Sequence, residues 1–97
     1  MIVSFGDPAT EDLYHGRPTA RARGFPADVA RRARKKLDYM DAARSLSDLR
    51  APPGNHLEAM EGRYKGRHSI RVNAQFRLVF RWDNGAHDVT LTDYHRS

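Results

Sequence analysis

The sequence contains no cysteine. That excludes a disulfide scaffold, a Cys-ligated zinc site, an iron–sulfur cluster and a thiol nucleophile, and it fits a reducing compartment. No apolar run approaches the roughly 20 residues of a transmembrane helix, so no membrane partner is expected. The stretch Met1–Asp7 lacks the basic start and apolar core of a signal peptide, which makes a cytoplasmic location the expectation. Also missing are a glycine-rich nucleotide loop ahead of a helix, paired histidines at metal-ligand spacing and a nucleophile elbow. Neither a cofactor nor a metal is therefore expected. The 97 residues leave room for one domain, residues 1–97, around one modest core.

What the chain has in excess is positive charge. There are 17 Lys and Arg against 12 Asp and Glu, a formal net of +5, which favours polyanionic partners. The excess is concentrated in two blocks. Residues 14–36 hold eight Arg/Lys against Asp28, net +7, and residues 61–82 hold Arg63, Lys65, Arg67, Arg71, Arg77 and Arg81 against Glu61, net +5. The first block reads equally well as a solvated face or a binding surface. The second is interleaved with apolar residues at strand spacing.

Local patterns set the element order. Ile2, Val3 and Phe5 suggest a short first strand. Asp7-Pro8 reads as an N-cap followed by a proline that has no N–H to leave unsatisfied, opening a helix that ends near Gly16. Residues 17–24 show no apolar periodicity and read as a mobile basic loop. From about Pro26 to Ala43, Val29, Ala33, Leu37 and Met40 share one helical face, with Phe25 placed to staple its start. A helical turn through Leu46 and Leu49 follows, and Pro52-Pro53-Gly54-Asn55 breaks it. Beyond residue 57 the period becomes two. Residues 57–60 form a weak strand, Gly62 to Gly66 a basic turn, 68–72 and 76–82 alternating strands joined by Asn73-Ala74-Gln75, and Asn84-Gly85 a hairpin turn into a last strand with Val89 and Leu91. The expected fold class is α+β, with two N-terminal helices packed on one face of a small, mainly antiparallel twisted sheet. Arg71, Arg77 and Arg81 fall on the opposite face.

The residues Leu49-Arg50-Ala51-Pro52-Pro53-Gly54-Asn55, Leu57-Glu58, Gly62, Gly66, His68-Ser69-Ile70-Arg71-Val72-Asn73, Gln75, Arg77 and Asp93-Tyr94-His95 resemble those of HigB-type toxins. These belong to the RelE/ParE superfamily of toxin–antitoxin systems, which includes the GraT-like branch. The resemblance spans nearly the whole chain. It implies a RelE-like toxin domain acting as a ribosome-dependent, metal-independent mRNA endonuclease in the ribosomal A site. The implied partners are a HigA-type helix-turn-helix antitoxin, the bacterial ribosome and mRNA, and operator DNA indirectly through the antitoxin.

The implied chemistry is attack of a ribose 2′-oxygen on the adjacent phosphate, with loss of the 5′-oxygen. It needs a base, cations for the growing phosphate charge and an acid. Arg77 matches the family's strand arginine, and its planar donor fork suits phosphate oxygens; taken without the resemblance it is an ordinary surface arginine. Asp93, Tyr94 and His95 match a C-terminal catalytic cluster. His95 titrates near neutrality, a carboxylate such as Asp93 can orient an imidazole, and Tyr94 can stack or donate. Strict alternation puts Asp93 and His95 on one side and Tyr94 on the other. The upstream catalytic position is open between His56 and Glu58. Arg63, Lys65, Arg67, His68 and Arg71 are the expected RNA contacts. Two other readings compete: a ParE-like gyrase inhibitor of the same fold, and a nucleic-acid-binding module without catalysis.

Overall fold

The computed structural model describes residues 1–51 and 53–93. Asp7 opens the first helix as expected. Its carboxylate accepts from the Thr10 amide at 2.8 Å, and α1 runs Pro8–Tyr14. The second helix, α2, spans Ala27–Ala42, about 24 Å at 1.5 Å per residue. The whole apolar stripe of α2, namely Val29, Ala33, Leu37 and Met40, is buried. A capping box of Ser45 and Asp48 starts the turn Leu46–Arg50, which buries Leu49, and a short turn Pro53–Asn55 follows.

Four antiparallel strands complete the fold: β1 (Glu58–Ala59), β2 (His68–Arg71), β3 (Phe76–Trp82) and β4 (Ala86–Asp93), in the order β1-β2-β3-β4. Ile70, Leu78, Phe80, Val89 and Leu91 from the sheet meet the helical stripe and Leu13 in one core, so the helices do gather on one face. The β3–β4 hairpin carries positive φ at Asn84 and Gly85, as its Asn-Gly pair predicts. A register shift lies between Val79 and Arg81, and opposite it Asp88 adopts φ 54°, the mark of a bulge.

The N-terminal residues do not make a full strand. Ile2 and Phe5 form two isolated parallel bridges, to Ala86 and Val89. They cover the outer edge of β4, which otherwise exposes unpaired amides. Where this cover ends, Thr10 takes over: its hydroxyl accepts from the buried Leu91 amide at 2.9 Å. Gly6 is needed at the crossing, because a Cβ there would stand 2.8 Å from the Asp88 carbonyl oxygen.

Two further expectations differ from the structure. Residues 17–24 are tied down. The buried Asp12 carboxylate accepts from Arg21 Nε at 2.6 Å, Thr19 Oγ1 at 2.9 Å and Arg17 Nη1 at 3.2 Å. Those bonds hold its pKa down at about 2, Arg21 first and Thr19 next. Apolar periodicity was the wrong measure for a segment held by a charge. The face away from the helices is also less open than alternation implies, since it buries Ser69 and Val79.

Candidate active site

Arg77 covers the Ser69 part of that face. Its Cα partner across the strand pair is Arg71, and two like charges directly opposite are unfavourable. Arg77 lies along the sheet rather than standing off it. Its Nε donates to Ser69 Oγ at 2.8 Å, and its Nη2 donates to the His56 carbonyl at 2.7 Å. The Glu58 carboxylate stands 3.8 Å from the same Nη2, and the arginine side chain is only 13% exposed. Three of the expected positions, His56, Glu58 and Arg77, therefore come together. Among the described residues, Nη1 of Arg77 has no hydrogen-bond partner, which leaves one edge of the guanidinium for an incoming oxygen.

His56 reaches this position with φ 45°, an uncommon region for a residue with a side chain. The loop is fixed from behind by Asn55, which is fully buried. Its Nδ2 donates to the Leu49 carbonyl at 3.0 Å, and its Oδ1 accepts from Lys36 Nζ. Burial pushes the Lys36 ammonium pKa down.

Beside the His56 loop opens a cleft of about 700 Å³ whose walls include Arg32, Lys35, Lys36, His56, Arg71 and Gln75. Gln75 Nε2 donates to Asp93 Oδ2 at 2.8 Å, and Asp93 is the register partner of Phe76. The end of β4 is thereby brought to the rim of the cleft, with Asp93 on the Leu91 side as alternation predicts. Tyr94 and His95 lie outside the described residues.

The other expected RNA contacts stand elsewhere. Arg63 and Lys65 sit on the turn between β1 and β2, Arg63 above the Tyr64 ring at 5.7 Å. Arg67, whose carbonyl accepts from Met60, closes that turn. They flank the far end of β2 from Arg71, roughly 13 Å away over four residues at 3.3 Å each. His68 departs from the arginine face. Its ring stacks on core Phe80 at 6.4 Å, and its Nδ1 is buried without a partner; alternation already placed it on the Ile70 side. Arg81 pairs loosely with Asp83 and Asp88 at the hairpin end. Arg32, Lys35 and Lys36 belong to the first basic block, and their i, i+3, i+4 spacing puts them on one flank of the apolar stripe. Among the described residues no group of three or more His, Asp or Glu is arranged to hold a metal ion.

Known proteins resemble this chain in sequence and in fold. The family model for the RelE-like toxin of type II toxin–antitoxin system HigB matches residues 3–95. Toxin HigB-1 of Vibrio cholerae serotype O1 is 42% identical over 96 residues, covering 99% of both chains. An uncharacterized protein of Haemophilus influenzae is 37% identical over 71 residues, 73% of this chain and 70% of that one. In fold, a YoeB–YefM complex from Staphylococcus aureus contains a chain that matches with TM-score 0.60 at 16% identity, covering 99% of each. A strand arginine clasped by the loop before β1, on a sheet backed by two helices, thus sits in a chain whose full length follows one toxin pattern: the protein belongs to the HigB family of RelE-like toxins of type II toxin–antitoxin systems.

Proposed function

We propose that this toxin stops translation by cutting messenger RNA in the ribosomal A site, without a metal. The observation that carries the reading is the clasped Arg77, held by Ser69 and His56 with one guanidinium edge left over. A fixed planar donor suits a phosphorane-like transition state, because no reorganisation is needed as charge builds. In the reaction the ribose 2′-oxygen bonds to phosphorus, the 5′-oxygen leaves with its bonding pair, and a 2′,3′-cyclic phosphate remains. One group must take the 2′-proton and another must supply a proton to the 5′-oxygen. Glu58, 3.8 Å from Arg77, and His56 are the candidates on the loop side. Asp93, Tyr94 and His95 are the candidates at the end of β4. Arg63, Lys65 and Arg67 at the turn between β1 and β2, with Arg71 on β2, are the candidates for phosphate contacts.

The expected partners are an antitoxin of the HigA helix-turn-helix type, the ribosome with its message, and operator DNA reached through the antitoxin, all in the cytoplasm. Among the described residues no helix is long and apolar enough to cross a membrane. Primer extension on a message translated with and without the purified toxin tests the reading. Cuts within codons that need translation and vanish with Arg77→Ala support it. Arrest of supercoiling without cuts, or translation inhibited on an intact message, refutes it.

A further inference from the structure

Gln75 and Asp93 meet at the end of the sheet, where Gln75 Nε2 donates to Asp93 Oδ2 at 2.8 Å across 18 residues of sequence. Neither partner needs this bond to hold its own backbone. The β2–β3 turn is already closed by Asn73, whose Oδ1 accepts from the Gln75 amide at 2.8 Å and from the Phe76 amide at 2.7 Å. The Phe76 carbonyl accepts in addition from the Val72 and Asn73 amides, at 3.0 and 3.2 Å. The end of β4 is held by the ladder, with Asp93, Thr92 and Leu91 opposite Phe76, Arg77 and Leu78. Both side chains of the pair are exposed. An exposed hydrogen bond adds little to stability, because water competes for both groups.

What the bond does fix is where the carboxylate lies. Asp93 pairs with Phe76, on the side of the sheet that buries Leu78 and Leu91. Arg77 pairs with Thr92 and belongs to the other side. Successive strand residues point to opposite faces, so the pleat alone keeps Asp93 and Arg77 apart. Gln75 stands in the turn two residues before Arg77, roughly 7 Å along the strand. A donor there catches the Asp93 carboxylate at the open end of the sheet, where its two faces meet. Asn73 pins the backbone on which that donor stands.

We infer that Gln75 is a positioning residue for cleavage: it holds the Asp93 carboxylate at the sheet end, drawn from the helix side toward the face of Arg77. The inference rests on the proposed message cleavage, with Asp93 among its candidate proton carriers. Gln75 itself touches no reacting atom. A carboxylate fixed before the message arrives needs no reorganisation as the reaction proceeds.

The test is a double-mutant cycle of wild type, Gln75→Met, Asp93→Ala and the double variant. Each is assayed by single-turnover cleavage in a reconstituted translating system over a range of toxin concentrations, beside thermal melts. Gln75→Met keeps the length of the side chain and removes the donor. It is expected to lower the maximal rate about tenfold, as for one lost hydrogen bond to a charged group. The half-saturating toxin concentration should stay at the wild-type value, and Tm within about 3 °C of it. In the Asp93→Ala background the same substitution should cost nothing further, because the two residues act as one unit. A wild-type maximal rate in Gln75→Met overturns the inference, as does a second tenfold loss in the Asp93→Ala background. So does a loss confined to the half-saturating concentration, which makes Gln75 a contact to the message or ribosome, or one that follows the fraction unfolded. If Asp93→Ala cuts like wild type, the inference falls and the cleavage reading stands. If the wild type leaves translated messages intact, the cleavage reading is refuted and the inference with it.

Discussion

Truncating Arg77 separates the fold from the chemistry. In Arg77→Ala, Ser69 Oγ and the His56 carbonyl lose a charged donor each. Hydrogen bonds to charged groups contribute about 1.5–3 kcal/mol each before compensation. The His56 end is solvent-accessible and regains water, and the Ser69 hydroxyl can rotate to donate elsewhere, so a net loss of about 1–2 kcal/mol is expected. For a domain of this size that lowers Tm by roughly 5–15 °C, and the protein stays folded at 25 °C. The chemical cost is larger. Removing one preorganised donor from a transition state of this kind lowers the rate by about 100- to 1,000-fold. Arg77→Lys keeps the charge but has no fork, so it should recover part of the stability and little of the rate. The assay is single-turnover cleavage of a message in a reconstituted translating system, read by primer extension, beside thermal melts of the same preparations. If Arg77→Ala cuts at the wild-type rate, or if the rate loss across variants merely follows the fraction unfolded, the assignment of Arg77 to the reacting phosphate is wrong.

Three further perturbations test the frame around the site. Asn55→Leu fills a similar volume but strands the Leu49 carbonyl and frees Lys36; a buried unsatisfied acceptor costs about 1–3 kcal/mol, and chemical denaturation should show a drop in that range together with slower cutting. Asp12→Asn should lower Tm at neutral pH by loosening residues 17–24. Because its pKa is held at about 2 from an ordinary 3.8, the Asp12 contribution is complete above about pH 4 and is lost as pH falls through 2; the Tm difference between wild type and Asp12→Asn should shrink over that window, and a gap as large at about pH 2 as at about pH 5 contradicts the charge account. Gly6→Ala places a methyl 2.8 Å from the Asp88 carbonyl oxygen, so it should destabilise, with hydrogen exchange rising first along the Ile2–Gly6 edge.

Much of the fold is legible in the sequence because single residues with strong local rules mark its joints. Asp7-Pro8 starts α1, the four-four-three spacing of Val29, Ala33, Leu37 and Met40 sets the buried side of α2, and Asn84-Gly85 turns the hairpin. The misreadings share a different cause. Residues 17–24 carry no periodic signal, yet Asp12, distant by five to nine residues, collects Arg17, Thr19 and Arg21. A polar knot of that kind depends on which carboxylate is buried, and burial is a property of the packed chain. Val79 and Ser69 read as outer-face residues and are outer-face residues; both are buried, Ser69 beneath the Arg77 side chain that donates to it.

The candidate site was legible by type and only partly by place. Family resemblance picks out Arg77, and His56 and Glu58 remain rivals in one dimension because either precedes the glycine turn by a few residues. In three dimensions both flank the same guanidinium, His56 through its carbonyl and Glu58 through its carboxylate. The histidine backbone fixes the arginine and the carboxylate stands 3.8 Å from it, so both positions border the proposed reacting face. Arg32, Lys35 and Lys36 belong to a basic block that the sequence leaves open between a solvated face and a binding surface. Within one helix they look like the solvated flank of an amphipathic stripe, and only the arrival of the Gly54–His56 loop and the Asn73–Gln75 turn gives that flank a facing wall. The site is therefore a property of the seam between the helix layer and the sheet. Substitutions that shift α2 against β2 without touching any charged group, such as Leu37→Ala, should weaken RNA binding more than equally destabilising ones at the hairpin end, such as Trp82→Ala.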